Sequence, residues 1–139
     1  MDKKLLFYTE VIIDLNKPAL KALDKSIELV KESGEDEIII CVPQRGTLQG
    51  FEDVILNEKM SESLINRGVY KLAGISFYAS TNQRACQQFN KGVLLGLEAK
   101  PEQIEKWGND SRVLSIVYIP RISDEVSFIS SEKFEKVLI

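Results

Sequence analysis

Apolar runs and amphipathic stretches alternate along this chain, with turn residues between them. Residues 5–13 carry Leu5, Leu6, Phe7, Tyr8, Val11, Ile12 and Ile13, which predict a strand buried on both faces over part of its length. Residues 14–18 punctuate it, with Asn16 suited to an N-cap and Pro18 to a first helical turn. Leu20, Leu23, Ile27 and Val30 then recur at three- and four-residue spacing, opposite Lys17, Lys21, Lys25, Glu28 and Lys31. This pattern predicts an amphipathic helix closed by Gly34. Residues 37–42, centred on Ile38-Ile39-Ile40, predict a central parallel strand, completing a strand-helix-strand unit.

The middle of the chain is less periodic. Residues 43–50 form a loop with Pro43, Gly46 and Gly50. Residues 51–60 fit a short helix or a short strand around Val54-Ile55-Leu56. Ser61 is suited to cap a helix running to Asn66, with Gly68 as its stop. Residues 74–79 predict a third strand, and Ser80-Thr81-Asn82 cap a helix over 83–90, past whose end lies Gly92. Residues 93–97 suit a strand, and 101–107 a short helix ended by Gly108. Residues 113–119 predict a strand that Pro120 ends. In the tail, 126–129 suit an edge strand or hairpin arm, and Phe134, Val137 and Leu138 a final helical turn. The sum is one α/β domain over 1–139: three layers, with a mostly parallel sheet of about five strands and an antiparallel edge near the C-terminus.

Composition narrows the chemistry. A net charge of -3 argues against a nucleic-acid module, whose bulk charge should oppose a phosphate backbone. No histidine occurs, which removes Ser-His-Asp and Cys-His catalysis and the usual zinc sites from this chain. Cys41 and Cys86 form no CxxC and read as reduced thiols, Cys41 as a core residue. No apolar run reaches the roughly 20 residues of a membrane span, so the expected setting is cytoplasmic. Neither GxGxxG nor GxxxxGK[ST] is present, so no cofactor is expected from a standard fingerprint.

In open α/β sheets, ligands collect outside the carboxyl ends of the parallel strands. There the sequence places Arg45 after the second strand, Ser80, Thr81, Asn82 and Arg84 after the third, and Arg121 after the strand 113–119. Guanidinium groups match phosphate or carboxylate, and a helix start offers free N–H groups to an anion. These residues form the expected ligand-binding set for a phosphate-bearing, nucleotide-like small molecule. The rival expectation is a non-catalytic interaction or structural subunit acting as a homo-oligomer. A weaker third is a histidine-free enzyme using Cys86, near a helix start and Arg84, or the carboxylates Glu10 and Asp14. Trp107 suits a lid over the core.

In layout, the strand-helix-strand opening and the strand-to-helix step over 74–84 resemble the small DsrE-like sulfur-relay domains. Where active members of that family often carry cysteine after the third strand, this chain has Ser80, so the resemblance does not extend to sulfur transfer.

Overall fold

A computed structural model describes residues 3–12, 14, 16–81 and 88–139, with Arg45 by its backbone alone. Its strands are β1 (Lys4–Tyr8), β2 (Glu37–Cys41), β3 (Val69–Leu72), β4 (Ile75–Ser80), β5 (Gly92–Leu97), β6 (Val113–Ile119) and β7 (Phe134–Leu138). Its helices are α1 (Asn16–Ser33), α2 (Glu58–Asn66) and α3 (Pro101–Gly108), and three-ten stretches cover Arg45–Phe51 and Ser123–Phe128. The seven strands form one sheet in the order β3-β4-β2-β5-β6-β1-β7. Every pairing is parallel except β3 with β4.

The sheet is larger than the five strands expected, and its antiparallel edge lies mid-chain. β3 forms a two-residue hairpin with β4 through Ala73 and Gly74, both at positive φ. That twist suits a tight hairpin, but Ala-Gly lacks the Asn-Gly signature that announces one. At the C-terminus, β7 is a strand parallel to β1 rather than a helical turn. Phe134 packs into the core on one face of the sheet and Val137 against the core on the other, the two-residue alternation of a strand. Residues 126–129, expected as a strand, lie mostly in a three-ten stretch whose turn buries Val126 and Ile129 three positions apart.

α1 shows how small residues set a helix on a sheet. The buried stripe is Pro18, Ala19, Ala22, Ser26 and Val30, with Leu23 and Ile27 on its flanks. Leu20, expected on the apolar face, is half exposed. Ser26 Oγ donates to the Ala22 carbonyl at 2.8 Å, so its burial leaves no orphan hydroxyl. Gly34, at φ +78°, lets its own N–H reach the Lys31 carbonyl and that of Glu35 the Val30 carbonyl, closing the helix as expected. α2 starts earlier than expected: Asn57 Oδ1 accepts from the Met60 N–H at 2.8 Å, and Ser61 is buried inside the helix. β1 ends at Tyr8, five residues before the predicted boundary. Of the helix expected over 83–90, residues 83–87 lie outside the described residues, and 88–90 are irregular.

Two cores result. Ile38, Ile40, Val93, Leu95 and Val117 pack under α1 and α2 on one face. Ile39, Cys41, Leu94, Ile116 and Tyr118 pack under α3 and the second three-ten stretch on the other. The three consecutive isoleucines of β2 are all fully buried, as a strand covered on both faces requires.

Candidate functional site

Because β1, β2, β4, β5 and β6 all run the same way, their carboxyl ends share one rim. At that rim the chain leaves β2 toward the α2 face, where Leu48 and Phe51 are buried; the connection from β4 instead reaches the start of β5, at the opposite edge of the sheet, past Phe89 on the α3 face. Connections that part to opposite faces leave a crevice between them. Ser80, the last residue of β4, lies beside Cys41 of β2 and is buried, while Thr81 is half-buried.

Ser80 and Thr81 open onto a cleft of about 410 Å³ whose other wall is α3. Glu102 and Lys106 line its outer side and Gln103 and Trp107 its buried side. The volume falls in the range of small-molecule sites. Gln103 ties the helix to the rim: its Nε2 donates to the Val42 carbonyl at 3.3 Å and its Oε1 accepts from the Lys100 N–H at 3.0 Å. Trp107 stands edge-on to Phe89, with ring centroids 6.4 Å apart, and packs in the same core as Cys41. It is a core wall, close to the lid expected of it. Burial pushes the Cys41 thiol up to about 12, which makes it an inert packing group.

The far end of the cleft is an ion pair. Arg112 reaches Asp110 Oδ2 at 2.7 Å, donates to the Phe89 carbonyl at 2.9 Å, and lies over the Phe89 and Trp107 rings. The Arg112 hydrogen bonds hold the Asp110 carboxyl below its ordinary value, against the opposing effect of burial. A depressed folded pKa gives stability that is present above the unfolded carboxylate pKa and vanishes as pH falls through the folded one. Asp110→Asn is therefore expected to lower the melting temperature near neutral pH and to leave it almost unchanged in strong acid. A difference that persists equally at all pH values would contradict this assignment.

The structure divides the expected binding set. Ser80 and Thr81 line the cleft. Asn82, Arg84 and Cys86 lie outside the described residues, and Arg45 is placed only as backbone just past β2. Arg121 stands apart. Two strands separate β4 from β6, which puts about 14 Å between their ends at ~4.8 Å per spacing. Its guanidinium pairs at 3.0 Å with Glu125, a buried carboxylate that also accepts the Arg121 and Ile122 backbone N–H groups. These bonds hold Arg121 firmly charged. With Glu10 and Glu98 it borders a separate hollow of about 170 Å³ between β6 and β1. Glu10 and Asp14 are both exposed.

Sequence reading missed Gln103, Lys106 and Arg112. The Lys-Trp pair on a short amphipathic helix was the available signal, but only the strand order brings α3 beside the end of β4. Lys106 is exposed and makes no ion pair among the described residues. No group of three or more metal-ligating side chains occurs among the described residues, and no described helix is long and apolar enough to cross a membrane. Comparison with protein-family models, curated proteins and solved structures gave no match.

Proposed function

We propose that this chain binds an anionic, phosphate-bearing small molecule in the cleft between the carboxyl end of β4 and α3. The observation that supports the reading best is the position of Lys106, a cation without an ion-pair partner among the described residues, across about 410 Å³ of open space from Ser80 and Thr81. Lys106 supplies the charge and Thr81 a hydroxyl donor, while Trp107 gives an apolar wall suited to a base or sugar face. Arg112 shapes the far end but spends its charge on Asp110. The reading includes a cytoplasmic setting, in which Cys41 stays a thiol.

Melting the protein against a panel of nucleoside phosphates, sugar phosphates and small carboxylates tests this. A ligand at a hundred times its Kd adds about 2.7 kcal/mol. Lys106→Gln is expected to remove most of that gain without altering the ligand-free melting temperature, because the side chain is exposed. The subunit reading draws on a different observation: Ile122 and Phe128, beside and within the second three-ten stretch, are 56% and 68% exposed. A panel that moves no melting curve, with light scattering above the mass of one chain, would favour that reading instead.

A further inference from the structure

On the opposite face from the Thr81 cleft, α2 and the edge strand β3 enclose a groove of about 610 Å³. Its charged residues are Lys59, Arg67, Lys71 and one carboxylate, Glu62, all exposed and none in an ion pair among the described residues. An excess of cations here runs against a chain whose net charge is -3. Helix stability does not explain it. Arg67 complements the negative end of α2, but Lys59 sits in the first turn, where the helix dipole disfavours a cation.

The spacing along α2 says what fits. Lys59 and Arg67 are eight residues apart, about 12 Å along the axis at ~1.5 Å per residue. One phosphate could touch both only with the two side chains stretched toward each other, over a midpoint that Glu62 makes unfavourable to an anion. Between them stand Glu62, which repels an anion, and Ser63, whose hydroxyl is held by the Val69 carbonyl at 2.5 Å. Lys71 borders the groove from β3, where strand alternation sends its side chain with that of Val69 toward the other face. We infer that this groove binds an elongated small molecule with a phosphate at each end and an uncharged, hydroxyl-bearing middle, in the class of a bisphosphorylated sugar. One phosphate meets Lys59 and the other meets the Arg67 fork, while the sugar hydroxyls face Glu62. A guanidinium fork matches a terminal phosphate, and a carboxylate accepts from hydroxyls.

Calorimetric titration at fixed ionic strength tests this with a hexose bisphosphate, the matching monophosphate and inorganic phosphate. The bisphosphate is expected to saturate one site and to bind at least about tenfold more tightly than the monophosphate. Lys59→Gln and Arg67→Gln should each weaken it about tenfold. Lys106→Gln, in the other cleft, should not change it. Melting curves of the variants confirm folding, since all three side chains are exposed. Equal affinity for mono- and bisphosphate, indifference to Lys59→Gln and Arg67→Gln, or no saturable bisphosphate binding would overturn the inference. So would tighter binding of a short oligonucleotide of equal charge. Loss of binding in Lys106→Gln alone would move the ligand to the Thr81 cleft.

Discussion

Gly92→Ala is expected to destabilise the fold by about 3 kcal/mol or more, the upper range for overpacking a core. A Cβ at Gly92 would lie 1.9 Å from the carbonyl oxygen of Glu37 and 2.8 Å from its carbon. The obstacle is the backbone of β2, so no side chain can swing aside, and β2 and β5 would have to separate at the centre of the sheet. Thermal unfolding should show a drop on the order of 10 °C. Gly50→Ala is the control: its Cβ would meet nothing within 4 Å, so its stability should stay within about 0.5 kcal/mol. Similar melting temperatures for the two variants would mean that β2 and β5 do not approach as closely as described.

Trp107→Ala is expected to cost about 3–5 kcal/mol, the range for deleting a large buried aromatic ring. Trp107 is 8% exposed and joins two groups: the edge of Phe89 and the guanidinium of Arg112. Removing it leaves Arg112 without one of its two rings and opens the cleft wall into the core. Ligand stabilisation should vanish with it. Trp107→Phe keeps an apolar ring of smaller volume, and its cost should stay below about 2 kcal/mol. Chemical denaturation of both variants separates loss of the ring from loss of part of its volume. If Trp107→Ala cost no more than Trp107→Phe, the ring would not be the wall of the cleft.

Local pattern carried much of this fold. The strand over 113–119 has the same limits in the structure, because an apolar run interrupted only by Ser115 ends at a proline that cannot extend a ladder. Gly34 closes α1 because a left-handed backbone there favours glycine. What stayed hidden was non-local. Phe134, Val137 and Leu138 fit a helical face as well as a strand until β1 supplies the partner ladder. Ser61 is a good cap by type, but Asn57 reaches the N–H groups first. The site was half legible for the same reason. Residues after strands could be named, and parallel strands do bring their ends to one rim. The order of strands, which parts Arg121 from Ser80, and the engagement of Arg121 by Glu125 depend on the assembled chain.

The most direct measurement is an amide chemical-shift titration with the strongest phosphate-bearing compound from the melting panel. Saturable shifts at Thr81, Lys106 and Trp107, absent in Lys106→Gln, are the result expected of an anion seated between β4 and α3. Binding that moves the amides of Arg121 and Glu98 while those of Thr81 and Lys106 stay fixed would place the ligand elsewhere and contradict the account.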